Sequence, residues 1–307
     1  MRYLQLAGKK ITALALGLDK FSFSEQEMFC ALAEEYLSLG GNNFDTAHIY
    51  AAGESEQLLG DFLAKRGIRD RVFVGTKIGF PDREDHWRSR LSFSELEGDL
   101  NLSLERLQMD FVDLLWLHRD DESRPVEEIL LDLNRLAKKG GFRAIGASNF
   151  TAERIQKANL FAKKEGLMGF SASQIQWSAA ETREEIYRDH GICIMNRAEY
   201  DRYLTLGIPV FCYAPLAGGY FNKLIEGRPM SEKLAARFDL PENRKRAEKV
   251  SGLAEEKGCS LAAASLLYLA QNKLETVVIT GAKKIPHLQE SFEAFSLSAN
   301  KPYTFPF

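Results

Sequence analysis

Four side chains in the first half of this 307-residue chain have the types needed to move a proton together: Asp45, Tyr50, Lys77 and His118. A free phenol, with a pKa of about 10, is too weak an acid and, once ionised, too scarce a base at neutral pH. An ammonium about 4 Å away, at an effective dielectric near 20, favours tyrosinate by up to ~4 kcal/mol, or roughly three pKa units. A buried lysine tends to lose its proton, so a neighbouring carboxylate is needed to hold the charge in place. The residue types therefore suggest roles: Tyr50 as general acid or base, Lys77 as its tuner, Asp45 as the lysine's partner, and His118 as a donor orienting a carbonyl oxygen. Taken singly, each has a duller explanation, such as a helix cap, a solvated cation or a packing histidine. Together these explanations weaken, because the runs before Lys77 and His118 are otherwise apolar and a charge there needs a partner.

The elements that must position these groups are short β-branched or apolar runs alternating with amphipathic segments, the rhythm of a parallel sheet covered by helices. Eight runs read as strands: Leu14 to Leu18, Asn43 to Thr46, Val72 to Lys77, Val112 to His118, Ala144 to Ser148, Ala172 to Trp177, Val210 to Tyr213 and Val277 to Thr280. Eight such units predict a (β/α)₈ TIM barrel, whose chemistry sits on the rim at the C-terminal strand ends. Asp45, Lys77 and His118 fall at the ends of three consecutive strands. Between strands, the helical period is carried by Phe29, Leu32, Tyr36 and Leu39 behind a Ser24-x-x-Glu27 box. A second helix opens at Ser92-x-x-Glu95, and a third runs from after Pro125 to Gly140 and Gly141. The runs RYLQL and KKITAL predict an N-terminal β-hairpin plugging the bottom of the barrel. Helical segments at Glu242 to Lys257 and Leu261 to Gln271 place an extra helix between strands 7 and 8. The helix around Tyr200 to Leu206 is weakly marked.

Composition narrows the partners. A net charge of -3 with 45% hydrophobic and 27% charged residues argues against disorder and against a nucleic-acid partner, leaving a small molecule. No run of eighteen apolar residues and no signal-peptide pattern occurs, so no membrane partner and a cytoplasmic location are expected. No linker-like or repeated tract divides residues 1–307, so one domain is expected. Cys30, Cys193, Cys212 and Cys259 form no CxxC pair and read as reduced core thiols. His48, His86, His118, His190 and His287 supply no HxH or HExxH, so no metal site is expected, which disfavours a metal-dependent barrel hydrolase.

The segment NFDTAHIYAAGESEQLLG, with Lys77 and His118 on the next two strands, resembles the catalytic motifs of the aldo-keto reductase superfamily, with Ala51 where glycine is usual. The resemblance spans nearly the whole chain. It implies a hydride transfer between a nicotinamide and a carbonyl or alcohol carbon, with Asp45, Tyr50, Lys77 and His118 as the catalytic tetrad. No GxGxxG follows any strand, so the nicotinamide is expected across the barrel mouth rather than on a Rossmann fold. In the resembling family, Ser148, Asn149 and Gln174 match the residues that bond the carboxamide, and Tyr213 matches the aromatic that stacks under the ring. Leu216, Gly218 and Gly219 let backbone N–H groups approach the pyrophosphate. Lys283, Lys284 and His287, beside a helix start at Pro286, suit a 2′-phosphate, which favours NADP(H) over NAD(H). Departures are Gly281 where many relatives carry lysine, His287 where many carry arginine, and Ser291 where asparagine is common.

The loop after the third strand carries Asp82, Glu84, Asp85, His86, Trp87 and Arg88, and His118 is followed by Arg119, Asp120, Asp121 and Glu122. A charged rim with an aromatic plate suits a sugar or keto-sugar, with Trp87, Arg119 and Asp120 as candidate contacts and Trp177 as either a further wall or packing. The segment Leu297 to Phe307 is short beside the long C-terminal loops that cover hydrophobic substrates in some relatives, and it predicts an open, polar pocket. A non-catalytic, nicotinamide-binding, redox-sensing subunit of the same fold is the competing expectation. The loop GLDKF departs from the family's small-residue pattern, and Lys20 in it has no assigned role.

Overall fold

The apolar runs pair side by side as parallel strands until the sheet meets itself. The computed structural model describes residues 1–81, 85, 88–186 and 191–297, so Asp82, Glu84, His86, Trp87, His190 and the whole segment after Leu297 lie outside the described residues. The first two strands, β1 (Tyr3–Leu6) and β2 (Lys9–Thr12), form the expected antiparallel hairpin. Its turn residues, Ala7 and Gly8, both have positive φ, as a two-residue hairpin turn requires. Eight strands then make a closed parallel barrel: β3 (Leu14–Gly17), β4 (Asn43–Asp45), β5 (Phe73–Ile78), β6 (Val112–Leu117), β7 (Phe142–Ser148), β8 (Phe170–Gln176), β9 (Val210–Tyr213) and β10 (Thr276–Thr280). β10 pairs with β3 to close the ring. All eight coincide with the expected runs to within two residues at either end, and Lys77 is followed by one more strand residue, Ile78.

The hairpin does lie at the bottom. Lys9 Nζ donates to Val72 O (2.7 Å) and faces Asp113 (3.0 Å), while Arg2 donates to Ala270 O and Thr276 O, groups at or near the strand N-terminal ends.

The outer helices α1 (Gln26–Ser38), α2 (Glu54–Arg66), α3 (Phe93–Leu107), α4 (Val126–Ala137), α5 (Ala152–Glu165) and α6 (Arg197–Leu206) each follow a strand. α4 shows why: Val126, Ile129, Leu130, Leu133 and Leu136 recur at helical spacing and are all buried. Ser92 caps α3 as expected, accepting from the Glu95 N–H at 3.4 Å. The box before α1 lies two residues earlier than expected: Glu25 accepts from the Ser22 N–H (3.0 Å), because a 3₁₀ turn, Phe23–Glu25, precedes the helix. Between β9 and β10 the chain adds more than the single extra helix expected. α7 (Tyr220–Ile225) and α8 (Glu232–Phe238) come before α9 (Pro241–Lys257) and α10 (Leu261–Ala270). Both are about two turns or less and bury few residues, so they carry little periodic signal. The last helix, α11 (Ile285–Leu297), packs under α10 and α1.

Inside the barrel, Trp116 is fully buried and packs edge-on to Phe211 (5.0 Å between centroids). It fits because Gly75 and Gly146, on the strands to either side, leave the space: a Cβ on Gly146 would lie 2.3 Å from the indole. Among the described residues no helix is long and apolar enough to cross a membrane, and no group of three or more His, Cys, Asp or Glu is placed to hold a metal.

Candidate active site

β4 and β5 are paired in register, with Asp45 opposite Gly75, which puts Lys77 one inward position above on the neighbouring strand. Lys77 Nζ donates to Asp45 Oδ2 at 2.5 Å and to Thr46 O at 2.9 Å, and both side chains are almost wholly buried. Gln174, across the barrel on β8, donates to the other carboxylate oxygen of Asp45 at 2.9 Å. Tyr50 stands on a 3₁₀ turn (Tyr50–Gly53) in the loop after β4, with the Lys77 ammonium 4.7 Å from its ring centroid. His118 follows β6 directly, and its ring meets that of Tyr50 edge-on at 5.8 Å. Three consecutive strands thus bring the four expected residues to one end of the barrel.

The charge states follow from these contacts. Burial works against the charged form of Lys77, but Asp45, and after it Tyr50, more than offset that, and the ammonium is held above its ordinary range. For Tyr50 the outcome corrects the sequence expectation. Burial, the largest influence, pushes the phenol up; Lys77 pulls the other way without overcoming it, and Asp45 and Asp19 raise it further with their negative charge. The phenol is therefore protonated at neutral pH. His118 is driven well below the usual imidazole value by burial first, then by Lys77 and Arg119, so its ring is neutral. Its Nδ1 is buried with no hydrogen-bond partner among the described residues, which makes Nε2 the better seat for the ring's one proton.

The residues expected around the nicotinamide also converge. Ser148 ends β7, and Asn149 beyond it takes a left-handed conformation (φ 62°). The Asn149 amide donates to His118 O and Ser148 Oγ (3.1 Å each) and accepts from Tyr213 Oη (2.7 Å) and the Cys193 N–H (3.2 Å). Its hydrogen-bonding capacity is thus filled by the protein, and a ligand bond to it requires an exchange. Tyr213, half-buried at the end of β9, is followed by a run of left-handed residues: Ala214 (φ 51°), Ala217 (48°), Gly218 (66°) and Gly219 (78°). Within that turn the Ala217 and Gly219 N–H groups donate to Ala214 O (3.0 Å) and Leu216 O (2.8 Å), and a Cβ on Gly219 would meet nothing within 4 Å, so the backbone there is open to close approach. The Ser148 and Tyr213 hydroxyls and the Gln174 amide at this rim have hydrogen-bonding chemistry that suits the carboxamide of a nicotinamide. Leu216 sits half-buried within the same turn.

Lys283, Lys284 and His287 are exposed after β10, where α11 begins at Ile285, one residue before the expected Pro286. Ser291 faces inward, donating to His287 O (2.9 Å) and meeting Thr280 Oγ1 (3.2 Å). Lys20 enters this corner from the loop after β3: its Nζ lies 3.4 Å from where a Cβ on Gly281 would be, with Asp19 Oδ1 at 3.6 Å.

Of the expected substrate contacts, Trp87 lies outside the described residues. Two others are engaged elsewhere. Asp120 is held by Arg154 (2.5 and 2.8 Å), which ties the loop after β6 to α5. Trp177 is 3% exposed and packs edge-on against Tyr200 and Tyr268. Arg119 stays beside the site, its guanidinium 5.0 Å over the ring of Phe80. Phe80 itself, whose ring is 4.7 Å from that of His118, was missed in the sequence. Its only signal is an aromatic three residues beyond Lys77. Asp19 was missed as well, since nothing in GLDKF indicates that its carboxylate acts on both Tyr50 and Asp45.

Comparison with known proteins agrees with this geometry. The model of the Aldo/keto reductase family matches residues 13–302. The chain is 30% identical over 311 residues to the uncharacterized oxidoreductase YrpG of Bacillus subtilis (strain 168), covering 97% of this chain and 92% of that one. It is 27% identical over 305 residues to norsolorinic acid reductase of Aspergillus flavus, covering 95% and 75% of the two chains. It is also 27% identical over 277 residues to the aryl-alcohol dehydrogenase GME11368 of Pestalotiopsis microspora, covering 89% and 69%. A closed barrel with an acid, a cation and a neutral imidazole gathered at one rim, matched over nearly its full length, belongs to the aldo/keto reductase family: the chain is an NAD(P)H-dependent oxidoreductase acting on a small-molecule carbonyl.

Proposed function

We propose that residues 1–307 act as one cytoplasmic catalytic unit reducing the carbonyl of a small polar substrate, such as an aldose or keto-sugar, with Tyr50 as proton donor and NADP(H) as the preferred coenzyme. The observation that carries this reading is the Lys77 ammonium, held at 2.5 Å by Asp45 and standing 4.7 Å from the Tyr50 ring.

A bound reduced nicotinamide supplies the hydride. The protein's own groups handle the oxygen and its proton. Neutral His118 offers its Nε2 hydrogen to the carbonyl oxygen and orients it. Tyr50, protonated at rest, gives up its proton as negative charge develops on that oxygen, and Lys77 stabilises the phenolate left behind. Asp45 keeps the lysine charged in a site where burial would otherwise neutralise it. Tyr213, Ser148 and Gln174 would hold the nicotinamide end, and the left-handed turn through Gly218 and Gly219 would hold the pyrophosphate. Lys283, Lys284, His287 and the nearby Lys20 support NADP(H), since four basic side chains at one corner suit an additional phosphate.

Arg119 and the exposed carboxylate of Asp19 support a hydroxyl-rich substrate. Phe80 beside His118 favours a second reading, an aryl aldehyde, in line with the name of the aryl-alcohol dehydrogenase relative. One experiment tests all of this: the decrease in nicotinamide absorbance with NADPH or NADH against aldoses, small aliphatic aldehydes, benzaldehyde and bulky apolar ketones, run beside Tyr50→Phe. The variant should lose at least ~10²-fold in kcat, the low end for a general acid. NADPH should give the higher kcat/KM. Equal efficiency with NADH would sink the coenzyme preference, and turnover confined to bulky ketones would sink the polar-substrate reading. An unaffected Tyr50→Phe would remove the proton donor itself.

A further inference from the structure

The phenol that donates the proton stands on an unusual piece of backbone. Directly after Tyr50, three residues in succession are left-handed: Ala51 (φ 46°), Ala52 (57°) and Gly53 (98°). Two of them carry a Cβ and adopt this conformation only under constraint. Local backbone hydrogen bonds run from Tyr50 N–H to Ala47 O and Ala52 N–H to Ile49 O, both 3.1 Å, and from Glu54 N–H to Ala51 O.

The constraint comes from the side. Arg106, near the end of α3, donates through Nη1 to His48 O at 3.0 Å, two residues before Tyr50, and the same nitrogen lies 3.4 Å from His48 Nδ1. It also reaches Glu56 Oε2 at 3.5 Å, in the first turn of α2 beyond the left-handed run. Glu56 is wholly buried and fixed by Thr76 Oγ1 at 2.5 Å, so it is a rigid anchor. The guanidinium lies where a side chain on Gly53 would be: a Cβ there would come within 2.2 Å of Arg106 Cζ. One cation therefore grips the chain on both sides of Tyr50 and fills the hollow left by Gly53. His48 is braced in turn by its N–H to Lys77 O (2.9 Å) and by Asp99, 3.6 Å from Nε2.

We infer that Arg106 is a positioning residue for the reaction: it clamps the left-handed turn that aims the Tyr50 phenol between Lys77 and His118. It acts through Tyr50 and touches no substrate, so the inference rests on the proposal that Tyr50 is the proton donor. Its arm is long enough to span both sides of the turn, its three contacts run from Nη1, and its planar guanidinium fills the space beside Gly53, which a compact lysine ammonium would not. A displacement of about 1 Å at a reacting group costs on the order of 10²-fold in rate.

The test is a double-mutant cycle on purified full-length protein, with NADPH and benzaldehyde or DL-glyceraldehyde as probes. Arg106→Met should lower kcat by roughly 10- to 100-fold. NADPH affinity, read by fluorescence titration, should stay within about twofold, since the nicotinamide residues are untouched. In the Tyr50→Phe background, the same change should lower the residual rate by less than about twofold, because the group being aimed is gone. A purely structural role would lower the rate by the same factor in both backgrounds, and that result, or an unchanged kcat in Arg106→Met, overturns the inference. Should Arg106→Met not fold, Arg106→Lys carries the same readings, keeping the charge but losing the planar group that fills the space beside Gly53. The two claims fail separately: full activity in Tyr50→Phe removes the proton-donor reading, whereas a large loss there with additive cycles removes only the role of Arg106.

Discussion

A tyrosine enclosed by protein is a poorer acid than one in water, and in this site burial outweighs the pull of the neighbouring ammonium on Tyr50. The consequence is a donor that is fully loaded at neutral pH. The sign of its pH dependence is then determined: the protonated phenol is the active form for reduction, so kcat holds below the raised pKa and falls as pH climbs through it. Lys77→Met keeps the phenol buried but removes its largest lowering influence, so the alkaline limb should move further up while kcat falls; a limb that stays put or moves down would contradict the role of Lys77. The same variant leaves Asp45 buried opposite an apolar side chain. About 3–5 kcal/mol of stability should go with it, and Asp45→Asn added to Lys77→Met should recover much of that in urea unfolding. From sequence, the Coulomb attraction between the residue types was foreseeable. The desolvation that opposes it was not, because it depends on how much of the phenol the folded chain takes out of water.

Strands and most helices were legible because each has a pattern of its own, as in the fully buried run Val112–Leu117 or the apolar stripe of α4. α6 is the informative exception. Its residues form a weak stripe, yet it runs the whole of Arg197–Leu206 because Asn196 caps it, accepting from the Glu199 N–H at 2.9 Å. Glu199 then reaches across to accept from the Ala152 N–H at the start of α5 (2.7 Å), so one capped turn secures two helix ends. Asn196→Ala should cost about 1 kcal/mol, the typical cost of losing a cap, and a shift in the thermal midpoint below that of a surface control such as Lys257→Ala would argue against this role. The left-handed turn after Tyr50 belongs to the same scale. Ala51, where the resembling family usually has glycine, stands at φ 46°, a geometry imposed by Arg106 on another element and carried by no local motif.

At the scale of the molecule, ring closure is what turns distant residues into neighbours. Gln174 and Asp45 are 129 positions apart and share a hydrogen bond because β4 and β8 face each other across the barrel interior. The same closure demands small residues beside Trp116. Gly146→Ala should destabilise the barrel by about 1–3 kcal/mol through overpacking, measured as a lower urea midpoint with unchanged slope; an unaltered midpoint would mean that the indole has room to shift. By itself the sequence determined the barrel, its plugging hairpin and the identity of the four rim residues, because periodicity, strand-end position and side-chain chemistry are local properties of the chain. Only the tertiary structure decided the protonation state of Tyr50, the ion pair of Asp120 with Arg154, the packing of Trp177 against Tyr200 and Tyr268, the arrival of Phe80 and Asp19 at the site, and the grip of Arg106 on the Tyr50 turn. Each of these depends on burial or on contacts between elements far apart in the chain, and those come into being only when the sheet closes.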